Sequence, residues 1–73
     1  MFTFEIYSSN GAKHKFEHIE RVEYNFSGLQ VLSGEDILNH RYLTICDLHL
    51  YSSNAAYTIS EKEISIIEVN KES

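Results

Sequence analysis

A chain of 73 residues with one cysteine, Cys46, reads as a single domain, 1–73, that no internal disulfide can staple. Eleven acidic residues against six basic ones give a net charge of −5, the wrong sign for a protein that binds phosphate backbones, so nucleic acid is not an expected partner. No stretch approaches the roughly 18 apolar residues of a membrane span, and no basic segment leads into an apolar run near Met1, so the expectation is a cytoplasmic protein without membrane contact.

The first segment alternates. Phe2, Phe4 and Ile6 fall on one face and Thr3, Glu5 and Tyr7 on the other, the pattern of a half-buried strand. Ser8-Ser9-Asn10-Gly11 follows, and Asn-Gly supplies the positive φ values of a tight hairpin, so the chain returns through Ala12 to Phe16. A third strand runs from Val22 to Ser27, with Val22, Tyr24 and Phe26 sharing a face. Ser27-Gly28 turns it into Leu29 to Leu32, where three of four residues are large aliphatics. Residues 33–40 read as a surface loop or a short helical turn, which Ser33 caps and Asp36 reciprocates. From Tyr42 to Ser52 a long strand is expected, apolar on both faces in its first half, with Cys46, Leu48 and Leu50 on one side. Ser52-Ser53-Asn54-Ala55 repeats the turn without its glycine, which suggests a longer or looser loop. Ala56 to Ile59 returns, Ser60 to Glu63 breaks the pattern, and Ile64 to Val69 is the last strand. Asn70 to Ser73 reads as a frayed polar tail.

Two of these stretches match. Phe4 to Asn10 returns 44 positions later as Leu48 to Asn54, with Tyr-Ser-Ser-Asn shared, and Val22-Glu23-Tyr24-Asn25 is answered by Ile67-Glu68-Val69-Asn70. The segments 4–25 and 48–70 therefore read as an internal repeat, each copy too small to bury its own apolar face. An even offset keeps parity, so Phe4, Ile6, Leu48 and Leu50 point into one core. The expected fold is all-β: a small barrel or two-layer sandwich of about six to seven antiparallel strands, built from two repeated β-meanders, with one short helical turn near 34–40. A chain this short buries only about 60% of its unfolded surface. With no disulfide and no paired-cysteine zinc spacing, self-association is the remaining common stabiliser, and a homodimer is expected.

Side chains that carry chemistry are few. His14 and His18, four apart, share a face in an extended or helical segment, and Asp47 and His49 share one on a strand. Together they form an alternative metal or small-ligand site, though spacing alone is a thin signal and no cofactor is expected. Cys46 reads as a small core residue, since His49 falls on the opposite face. The carboxylate pairs Glu35-Asp36 and Glu61 with Glu63 fall in turns, without the apolar pocket that raises a catalytic pKa. No phosphate-binding glycine loop, nucleophile elbow or Walker lysine is present, so the chain is not expected to be an enzyme.

Tyrosines on the polar parity point elsewhere. Tyr7 and Tyr51 occupy equivalent positions beside Glu5 and His49, with Tyr42 and Tyr57 near the second copy, and tyrosine is enriched where proteins meet. The leading reading is a non-catalytic protein–protein interaction module that self-associates through these residues. A further alternative is an acidic inhibitor or nucleic-acid mimic of the kind a phage or mobile element makes. It requires Glu17, Glu20, Glu23, Glu61, Glu63 and Glu68 on one face.

Overall fold

The computed structural model describes all 73 residues as β1 (Phe2–Tyr7), β2 (Lys13–Ile19), β3 (Arg21–Asn25), β4 (Leu29–Ser33), α1 (Asp36–Asn39), β5 (Leu48–Tyr51), β6 (Ala56–Ile59) and β7 (Ile66–Lys71). A 3-10 turn at Glu61–Glu63 precedes β7. The strands are antiparallel and form two open sheets, β2-β1-β7 and β4-β3-β5-β6, so the all-β architecture is a sandwich and not a closed barrel. Between them lie Phe2, Phe4 and Ile6 of β1, Val22 and Tyr24 of β3, and Leu48 and Leu50 of β5, all buried as their alternation requires. No helix is long and apolar enough to cross a membrane.

The two expected meanders do not form, because the third strand of each joins the hairpin of the other. β3 pairs with β5, and β7 pairs with β1. One residue, Glu20, separates β2 from β3. The tightest common hairpin loop has two residues, so β3 cannot fold back beside β2 and must leave the sheet. A register shift between Phe2/Ile19 and Phe4/Phe16, with His18 at φ +60°, turns this corner. Strands change sheets at such bulges. Two backbone bonds hold the ends of this arrangement. The Glu20 N–H donates to the Tyr51 carbonyl at 2.9 Å, and the Ser65 N–H donates to the Tyr7 carbonyl at 2.7 Å.

The β1–β2 and β5–β6 hairpins have different loops. Ser8 N–H reaches Ala12 O (2.9 Å), whereas Ser52 N–H reaches Ala55 O (2.8 Å), so the second loop is one residue shorter, contrary to the expected longer or looser one. In the first loop Gly11 sits at φ +90°, a conformation costly to alanine, and the loop lacking glycine omits that position.

Three other expectations change. The strand expected from Tyr42 begins only at Leu48, because β3 ends at Asn25 and turns away at Phe26–Gly28, leaving the residues before Asp47 no partner. Residues 40–47 instead pack over one end of the sandwich. The Tyr42 hydroxyl donates to the Ile37 carbonyl at 2.6 Å, and its ring meets Phe4 edge-on at 5.5 Å. Helix α1 is a single turn as expected, but Ser33 belongs to β4 and Glu35 holds the N-cap position without a side-chain bond. The tail is tied down rather than frayed. Lys71 lies in β7, and Glu72 donates its N–H to the Met1 carbonyl at 3.0 Å.

The two long sides of the sandwich are closed differently. Across β4 and β7, α1 inserts Ile37, which is fully buried, and Lys71 pairs with Glu35 at 2.6 Å. Across β2 and β6, Phe16 and Tyr57 meet at 4.9 Å between ring centres.

Candidate functional site

Four strands have an unpaired edge: β2 and β7 in one sheet, β4 and β6 in the other. Such an edge presents unpaired N–H and C=O groups and templates further pairing unless something blocks it. β2 carries Lys13, His14, Lys15, Glu17 and the bulge. β7 carries Glu68 and Lys71 and has α1 beside it. β6 is four residues long, and a short edge is itself a block. β4 shares α1 with β7, but it has neither charge nor bulge: Leu29-Gln30-Val31-Leu32-Ser33 contains no charge and no proline, and it pairs with β3 without a register shift.

The faces of β4 follow from its register. Val31 opposes Glu23 and Leu29 opposes Asn25, while Val22 and Tyr24 point into the core, so Leu29 and Val31 stand on the outer face of the four-stranded sheet. They are 63% and 53% exposed, and Phe26 in the adjoining turn is 47% exposed. Beside them the outer face is polar and satisfied within itself. The Arg21 guanidinium lies 4.1 Å from the centre of the Tyr51 ring and its Nε is 3.2 Å from Glu23. The Tyr51 hydroxyl donates to Glu23 at 3.4 Å, and the His49 Nδ1 and the Thr58 hydroxyl are hydrogen-bonded at 3.1 Å. A cation over an aromatic face, held also by a carboxylate, has little left to offer a partner. What remains unsatisfied on this face is the apolar border along β4.

The tyrosines expected to form one surface are dispersed. Tyr7 and Glu5 lie on the outer face of the three-stranded sheet, and Tyr51 and His49 on the outer face of the other, so the twin corners look away from each other. The Tyr7 hydroxyl donates to Glu5 at 3.2 Å and to Glu68 at 3.4 Å. Loss of solvent, and then those two carboxylates, push its pKa above 10. Tyr42 and Tyr57 turn inward against Phe4 and Phe16, and burial raises the Tyr42 phenol well above the usual tyrosine range. These two rings serve the fold.

The proposed ligating residues do not converge. His14 opposes Ile6 and lines a cleft of about 360 Å³ between β2 and β6, with Phe16, Ile59 and Glu63. The bulge reverses parity before His18, so the two histidines no longer share a face. The His18 ring bonds Glu72. Asp47 accepts the Glu61 N–H at 2.8 Å, and His49 is held by Thr58. No group of three or more His, Cys, Asp or Glu side chains is placed to hold a metal ion. Cys46 is half-buried and packs against the core. The acidic residues are divided as well: Glu68 belongs to the three-stranded sheet, Glu23 to the outer face of the four-stranded one, and Glu61 and Glu63 to the 3-10 turn.

Glu72 is a polar anchor that spacing does not reveal, 54 residues from its main partner. Its carboxylate accepts the His18 N–H at 2.8 Å, the Thr3 hydroxyl at 2.7 Å and contacts His18 Nδ1 at 2.9 Å. The backbone bond first, then the Thr3 hydroxyl and the His18 ring, lower its pKa from 4.5 to about 2 against the opposing effect of burial. A carboxylate depressed in the folded state contributes stability that is fully present above its unfolded pKa, here 4.5, and is lost as pH falls toward about 2. We expect Glu72→Gln to melt below the wild type at neutral pH, with the gap closing between pH 4.5 and about 2. Thermal melts across that range check it. A gap that stays constant with pH would show that the ionised carboxylate contributes nothing specific.

Comparison with protein-family models, with curated proteins and with solved structures finds no match to this chain.

Proposed function

We propose that this protein is a non-catalytic interaction module that works by strand addition at β4, self-associating and holding partner protein through the same edge. The observation that carries the reading is the contrast among the four edges. β2 and β7 carry charge, β2 also has a bulge, and β6 is only four residues long, whereas β4, which shares α1 with β7, has five uncharged and regularly paired residues bordered by the exposed Leu29 and Val31. In strand addition the main-chain ladder supplies affinity and alternate side chains supply selectivity. A cytoplasmic setting accords with the single unpaired cysteine.

The two other readings have less to stand on. A metal site would need ligands brought together from His14, His18, Asp47 and His49, each of which has a separate setting. A nucleic-acid mimic would need its acids on one side, and they are spread over both sheets and a turn.

The test is amide hydrogen exchange at low and high protein concentration. Amides of Leu29–Ser33 that point away from β3 are expected to exchange freely in dilute protein and to gain protection as concentration rises. Protection that stays flat in β4, or that rises along β2 or β7 instead, would contradict the reading.

A further inference from the structure

Resting on that reading, we propose that the partner is a second copy of this chain, whose β4 pairs antiparallel with β4 about a twofold axis centred on Val31, making one continuous eight-stranded sheet across the two molecules. Self-association through a twofold axis requires a patch complementary to itself. Residues directly opposite in an antiparallel pair lie on the same face of the sheet, so a twofold can be centred only on a residue and not between two residues. Centring it on Val31 is the choice that pairs all five residues of β4: Leu29 with Ser33, Gln30 with Leu32, and Val31 with itself.

The charges favour a second copy in this register. Leu29–Ser33 contains no charge, so within the paired residues no acid meets an acid, and the turns at Ser27–Gly28 and Gly34 take the chain out of the ladder at both ends. That matters for a chain of net charge −5, which any copy of itself repels at long range. The β2 edge centred on Phe16 sets Lys15 against Glu17, but the register shift between Phe16 and Ile19 breaks the regular run that such a pairing needs. In the β4 arrangement the outer faces coincide, and the exposed Leu29 and Val31 of both molecules merge into one apolar strip. Two five-residue strands and their borders make a small contact, below the about 1,200 Å² of a standard interface. The dimer is therefore one that dissociates on dilution.

Cysteine capture tests the register. In a Cys46→Ser background, Val31→Cys places two thiols directly opposite, at the separation of about 4.5–5.5 Å between Cα atoms that a disulfide accepts. Leu29→Cys sets its two thiols four residues apart along the strands, about 13 Å, and cannot close. Under mild oxidation Val31→Cys is expected to form covalent dimer at least tenfold faster than Leu29→Cys or the β6 edge control Thr58→Cys. A mixture of Leu29→Cys with Ser33→Cys is expected to cross-link as well. Thermal melts of the reduced variants establish that each folds. Equal slow rates at 29, 31 and 58 would overturn the register. If β4 still gained exchange protection with concentration, strand addition at that edge would survive without this pairing, and if it did not, both would fall together.

Discussion

Phe4→Ala is expected to cost about 3–5 kcal/mol, the range for deleting a buried aromatic ring. Phe4 is fully buried in β1, the central strand of its sheet, where Phe16 of β2 and Val69 of β7 flank it in register. From above, Tyr42 presents its edge at 5.5 Å, so the ring also pins the irregular 40–47 segment. Removing it opens a cavity between three strands and a loop that cannot all collapse inward together. For a domain of 73 residues the total stability is on the order of 4–11 kcal/mol, so one substitution removes about a quarter of it or more. At about 4–8 °C per kcal/mol the melting temperature falls by more than about 12 °C. Calorimetry or thermal circular dichroism measures this directly. A fall of under about 5 °C would mean that the two sheets do not meet at Phe4.

The strands that carry the core were legible in the sequence because each is apolar on one parity. Phe4 and Ile6, Val22 and Tyr24, Leu48 and Leu50 all point inward as their alternation indicates, and the single helical turn falls within 34–40. Sheet membership was not legible. It depends on the one-residue link at Glu20 and on the bulge at Glu17–His18, neither of which disturbs the hydrophobic pattern. The same bulge separates His14 from His18, which simple parity puts together. The segment before Leu48 misleads for another reason: its apolar residues do pack, Tyr42 and Cys46 against the core, but the neighbouring strands end before they could pair with it. An isolated run has a pattern, and a strand also needs a neighbour.

The surface was legible only in part. Tyrosines were the visible candidates, yet Tyr42 and Tyr57 are used internally, and Tyr7 and Tyr51 are engaged by Glu68 and Glu23 on opposite sides of the molecule. The stronger candidate, β4, was present as a charge-free aliphatic run with no proline anywhere in the chain to block an edge. Its exposure became apparent only once β3 was seen to lie between β4 and β5. Edge or interior is a property of the strand order, and strand order is set by connections rather than by the strand's own residues.

Val31→Lys is the second substitution with a large expected effect, and it acts on association rather than on folding. The side chain is half exposed on the outer face, and a lysine there stands opposite Glu23, so the monomer is expected to keep its melting temperature within a few degrees. In the proposed dimer the same change replaces a Val–Val contact with two lysines directly opposite. Like charges at such positions are destabilising, and the exchange from a favourable to an unfavourable pair is worth about 1–2 kcal/mol, or about 5- to 30-fold in Kd. Long-range charge works the other way, because an added lysine moves the net charge of −5 toward zero and eases repulsion between copies. Weaker association could then come only from the local contact. The decisive measurement is sedimentation of the wild type and Val31→Lys over one concentration series. A concentration-dependent dimer is expected in the wild type, with a Kd that rises about fivefold or more in a variant that melts normally. A wild type that stays monomeric throughout, or a variant that dimerises as the wild type does, would contradict it.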